Sequence, residues 1–142
     1  MDEEYIKSLS YDEKIVFLKI FCKLVRADGA IAGEEVDLLK RIAAKYGVPM
    51  EEMVQIIKMP NIDHVLEASK IKDRRHALHL VKELCLFANI DEDLADNELD
   101  VVIDAARAMG IEDNKIILIN RLVLDSLILA KTGRVIMEED NG

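Results

Sequence analysis

The chain has 142 residues, 51% of them apolar but only 4% aromatic, and 28 acidic residues against 19 basic ones give a net charge of −9. That length suits one domain burying roughly two-thirds of its unfolded surface, with a core that must be built from Leu, Ile, Val, Ala and Met. So acidic a surface repels phosphate backbones and disfavours a nucleic-acid partner, while two cysteines without close pairing exclude a disulfide framework and a four-ligand zinc site.

Met1-Asp2-Glu3-Glu4 is acidic and no long apolar run follows it, unlike a targeting segment, so a cytoplasmic, reducing setting is expected. Ser10-Tyr11-Asp12-Glu13 has the form of a capping box, and Ile15, Leu18, Phe21, Cys22 and Val25 follow at helical spacing, predicting a helix over about 11–27. Asp28-Gly29 interrupts it. A second helix is predicted over about 33–46, with Val36, Leu39, Ile42 and Ala43 on its apolar face and Gly47 as its stop. Pro49 suits the first turn of a third, which runs to about Lys58 before Pro60-Asn61. A short helix is expected over 63–69, a long one capped by Asp73 and reaching Asn89, and two more over about 96–109 and 113–131.

The last of these contains the most apolar stretch, Ile116 to Ala130, broken by Asn120, Arg121, Asp125 and Ser126. It falls short of the roughly 20 apolar residues a membrane-spanning helix needs, and is expected to be a buried helix at the centre of the fold or, failing that, a dimer or partner interface. No segment has a sustained period of two; Arg134 to Met137 would be a strand without a neighbour. The expected architecture is all-α, a compact bundle of about seven helices in one domain over 1–137, followed by a disordered acidic tail over 138–142.

Sliding the sequence against itself by 63 residues superposes Lys19, Cys22, Asp28, Ala32, Glu35, Asp37, Ala43 and Gly47 on Lys82, Cys85, Asp91, Ala95, Glu98, Asp100, Ala106 and Gly110. Two copies, about 11–58 and 73–131, are therefore predicted to pack around an approximate two-fold axis. An aspartate and a glutamate seven residues apart bracket the turn of each copy: Asp28 with Glu35, and Asp91 with Glu98. Neither turn is an EF-hand, because Leu24 and Arg26 in the first copy, and Phe87 and Asn89 in the second, stand where that loop places its first two ligands.

The run from Leu24 to Val48, with Ala27-Asp28-Gly29-Ala30-Ile31 followed by Glu35 and Gly47, resembles the tellurite-resistance TerB-like family, and also the N-terminal domain of DjlA-type co-chaperones. The resemblance implies a small duplicated helical fold, a stress-related role, a protein partner, and peripheral association with membrane complexes that handle metal. It also implies a divalent cation at the acidic turns, which falls here on Asp28, Glu35, Asp91 and Glu98, with Glu34, Asp93 and Asp96 as further carboxylates. An all-oxygen set suits Ca²⁺ or Mg²⁺. Two departures stand out: Ala32 and Ala95 occupy the helix-cap positions, and Glu92 replaces the turn glycine in copy two.

Each candidate has a plainer reading beside it. Asp28 and Asp91 would bond turn amides, and Glu35 and Glu98 would satisfy free N–H groups in a first helical turn, without any metal. On that alternative the protein is a metal-independent adaptor whose acidic surface docks a basic segment. His76, His79 and Glu83 share one helix face and are expected to form a polar surface stripe rather than a metal site. Lys70, Lys72, Arg74 and Arg75 form a basic cluster at a helix entrance, and Cys22 and Cys85 are expected to pack as small hydrophobes. No phosphate loop, nucleophile motif or cofactor fingerprint points to catalysis.

Overall fold

In the computed structural model, which describes residues 2–27, 31, 33–90 and 96–141 and at 2, 3, 90, 96, 97 and 139–141 the backbone alone, the chain is helical. The elements are α1 (Asp2–Ser8), α2 (Tyr11–Arg26), α3 (Gly33–Tyr46), α4 (Met50–Ile57), α5 (His64–Ala68), α6 (Arg74–Ile90), α7 (Asp96–Ala108) and α8 (Asp113–Asn141). No strand occurs among the described residues, and none of the helices is long and apolar enough to cross a membrane.

Local chemistry sets most of the boundaries. Ser10 Oγ accepts the Glu13 amide at 3.1 Å while Glu13 returns its carboxylate to the Ser10 amide at 3.0 Å, closing the capping box that starts α2. Gly47 and Gly110 hold φ of 74° and 80°, the left-handed conformation in which a helix ends at least cost on glycine. Behind them the amides of Val48 and Ile111 reach back to the carbonyls of Ala43 and Ala106 at 2.9 and 3.0 Å, and both side chains are buried. Asp63 caps α5 by accepting the Leu66 amide, and Asp73 receives the amides of Arg75 and His76 at the start of α6. Pro49 caps α4 from outside rather than filling its first turn.

The core is organised around α2, whose Phe17, Leu18, Ile20, Cys22 and Leu24 have no exposed surface. It packs against α3, α4, α5, α6 and α7, which is why it is buried on nearly every side. Each such side chain contributes about 1.5–3 kcal/mol by leaving water. Leu39 of α3, Met53 of α4, Ala68 of α5, Leu80, Val81 and Leu84 of α6 and Val102 of α7 close the core around it.

Three features depart from the sequence expectation. The first is α1, an eighth helix, which buries Tyr5 and Ile6 and leads to buried Leu9. The second is the surroundings of α8. Among its described side chains Ile116 and Val123 alone are buried, with Ile119 and Leu127 partly packed, all on the stripe facing α6 and α7. Ile117 is 66% exposed, Ile128 62% and Leu129 75%, so this helix is not the buried centre of the fold. Its apolar residues run around every side, whereas the described residues supply neighbours on one side alone. The third is its length: α8 continues through 131 to Asn141, so residues 138–141 are helical where disorder was expected. No proline follows Pro60, and Gly133, which weakens a helix by only about 1 kcal/mol, does not stop it.

Candidate functional site

The geometry that bears on the acidic turns is the relation between α2 and α6. Glu13, early in α2, meets His76, early in α6, with Oε2 and Nδ1 2.6 Å apart. Further along, Phe21 meets Phe87 with ring centroids 5.8 Å apart. The two helices therefore run side by side in the same direction, and their last described turns lie at the same end of the molecule. Arg26 anchors the end of α2 by donating from Nη1 to the Met59 carbonyl. Asn89 anchors the end of α6, donating from Nδ2 to the Cys85 carbonyl at 2.7 Å and to Asn120 Oδ1 of α8 at 2.9 Å.

Of the candidate ligands, Asp28, Asp91 and Asp93 lie outside the described residues, as does Glu92. Glu34 is exposed and Glu35 half-buried in the first turn of α3. Glu98 is half-buried in the first turn of α7, which opens at Asp96. Neither Glu35 nor Glu98 stands free of other interactions. Among the described residues no group of three or more His, Cys, Asp or Glu side chains is arranged to hold a metal. The donor chemistry at the turns is carboxylate oxygen, which fits a hard cation. The nitrogen and sulfur groups of the chain sit elsewhere. Cys22 and Cys85 are buried as expected, and burial pushes their thiols up to about 12 and about 11.

The histidine face of α6 differs from the expected surface stripe. His76 is 14% exposed and lies between Glu13 and Ser8, with Nε2 3.2 Å from Ser8 Oγ. Burial would raise the Glu13 carboxyl, but the Ser10 amide, the Ser10 hydroxyl and His76 outweigh it and hold the group below the usual glutamate range. His79 stacks on Tyr5 at 3.8 Å between centroids. Tyr5 Oη is buried without a hydrogen-bond partner among the described residues. Burial, with Tyr46, Glu83 and Glu13 nearby, pushes its pKa far above the ordinary tyrosine value. These residues form the seam by which α1 is fastened to α2 and α6. The pattern of α6 alone did not contain it, because the partners come from α1 and α2.

A second cluster was also missed. Glu67 of α5 is a buried charge gripped from two sides, by Lys19 Nζ at 3.1 Å and Lys70 Nζ at 2.8 Å. Burial opposes its ionisation, yet hydrogen bonds and charge from Lys70 and Lys19 prevail and hold its carboxyl below the usual range. With Tyr11, which donates to Glu52, these side chains line a cleft of about 500 Å³. Lys70 and Arg74 of the expected basic entrance are thereby engaged, Arg74 with Glu112 at 2.7 Å. No family model, curated protein or solved structure matches the chain.

Proposed function

We propose that this protein is a non-catalytic, TerB-like binding module that takes a divalent cation of the Ca²⁺ or Mg²⁺ type at two paired acidic turns and presents that state to a protein partner. The observation that carries the reading is the parallel course of α2 and α6, which supports a common end for the segments holding Asp28 and Asp91. A duplicated architecture is part of the proposal. Helices α2, α3 and α4 begin at Tyr11, Gly33 and Met50, and α6, α7 and α8 begin 63 residues later in each case. The two left-handed glycines, Gly47 and Gly110, keep the same interval. The stress-related setting rests on the resemblance of the Leu24–Val48 run to the TerB-like family.

Clustered carboxylates repel one another, and a bound cation relieves that repulsion, so binding stabilises the fold. Cation at about a hundred times its dissociation constant raises stability by roughly 2.7 kcal/mol, or the melting point by roughly 5–10 °C for a chain of this size. Thermal denaturation with and without Ca²⁺ and Mg²⁺ reads this directly, and Asp28→Asn combined with Asp91→Asn removes the shift. Melting curves indifferent to both cations would leave the other reading, a metal-independent adaptor that docks a basic segment.

A further inference from the structure

Helix α8 carries far more apolar surface than its neighbours cover. At 1.5 Å per residue its 29 residues span about 43 Å, against about 25 Å for the 17-residue α6 it lies on. From Ile128 to Glu138 every residue is exposed. Nine large apolar side chains of this one helix, from Ile117 to Met137, are between 38% and 75% exposed. They are spread around the helix, and Leu124, Ile128 and Val135 among them share one face that no neighbour in the described fold covers.

Charge and spacing indicate what covers part of it. Arg121, Leu124, Ile128, Lys131, Val135 and Glu138 follow one another at intervals of three and four, the spacing of a coiled-coil seam, and all six are exposed. Their order is self-complementary when reversed. A second α8 laid antiparallel sets Arg121 against Glu138 of its twin, Leu124 against Val135, and Ile128 against the aliphatic stem of Lys131. A two-fold axis repeats each pairing, as an interface between identical surfaces requires. The seam itself is far less acidic than the chain as a whole, because Arg121 to Glu138 holds Arg121, Lys131 and Arg134 against Asp125 and Glu138.

We infer that the α8 seam from Arg121 to Glu138 is a self-association surface, on which a second copy of this chain packs its own α8 antiparallel. The partner's helix shields the seam and the two Arg121–Glu138 pairs fix register and direction.

Sedimentation equilibrium of the full chain, from micromolar to submillimolar concentration, tests the inference. The wild type is expected to dimerise, and Ile128→Asp to be monomeric with a melting point close to that of the wild type at concentrations where it too is monomeric, since that side chain is largely exposed in its own copy. Arg121→Glu and Glu138→Arg each place like charges in apposition and are expected to raise the dissociation constant about tenfold or more. Combining the two reversals restores the pairing and most of the affinity. A monomeric wild type would overturn the inference, as would a dimer that survives Ile128→Asp. A double reversal no tighter than the single ones would overturn the antiparallel register. Monomeric chain that floats with phosphatidylcholine–phosphatidylserine vesicles would assign the surface to a membrane instead.

Discussion

Helices α4 and α8 open 63 residues apart, at Met50 and Asp113, yet one has 8 residues and the other 29. Pro60 explains the shorter one. A proline disfavours helical backbone in the residue before it, and α4 has closed by Lys58. The position 63 residues on is Val123, which is buried against the core and lets α8 continue. The contrast teaches that a single local stop separates a helix sized to its neighbours from one that outgrows them. Past the edge of α6, an apolar sequence is left facing water.

The largest effects are expected in the core where α2 and α6 are buried. Phe17 in α2 and Leu80 in α6 are fully buried at corresponding positions. Phe17→Ala is expected to cost about 3–5 kcal/mol and Leu80→Ala about 2–5, measured by urea denaturation. A loss below 1 kcal/mol at either site would show that the halves do not share one core. Transplanting the stop comes next. Val123→Pro should cost about 3 kcal/mol or more by breaking α8 where it is docked. Thr132→Pro, beyond the docked part, should leave the melting point nearly unchanged at concentrations where the chain is monomeric, while lowering helicity in circular dichroism. Equal costs for the two prolines would end the distinction between a docked and an overhanging segment.

A smaller effect belongs to α5, between the two groups of helices, and depends on pH. The lysine partners of Glu67 hold its folded-state carboxyl below the usual range. Its contribution is therefore complete above the unfolded-state value and is lost as pH falls through the folded-state value. Glu67→Gln is expected to cost about 2 kcal/mol near neutrality, and the gap to the wild type should close in strongly acidic buffer. A gap that widened on acidification would reverse the sign assigned here. Smallest are the helix stops. Gly47→Ala and Gly110→Ala should each cost about 1 kcal/mol by forcing alanine into a left-handed conformation, with no clash added, because nothing lies within 4 Å of either new methyl group. Markedly unequal costs would mean that the two stops are not equivalent.

Elements governed by near neighbours in sequence were legible. The Ser10–Glu13 box, the Asp63 and Asp73 caps, and Gly47 and Gly110 each act within a few residues, and they gave most helix starts and stops correctly. What depends on distant partners was not legible. The grip of Lys19 on Glu67 spans 48 positions and the contact of His76 with Glu13 spans 63. No periodicity within α6 announces either the α1 lid over its histidines or the stacking of His79 on Tyr5. The apolar composition of α8 was read correctly as apolar and wrongly as interior, because composition records how much surface seeks cover and not how many neighbours the chain provides. At the acidic turns the side-by-side course of α2 and α6 is on hand, while Asp28 and Asp91 themselves fall outside the described residues.

The two sealed thiols have a practical consequence. With burial holding Cys22 and Cys85 at about 12 and about 11, neither is ionised at neutral pH, and thiol-directed reagents act on the ionised form. A cysteine introduced in place of Leu129, 75% exposed, would then be the fast-reacting group. A fluorophore or spin label can thus be attached to α8 without first stripping the native sulfurs from the chain.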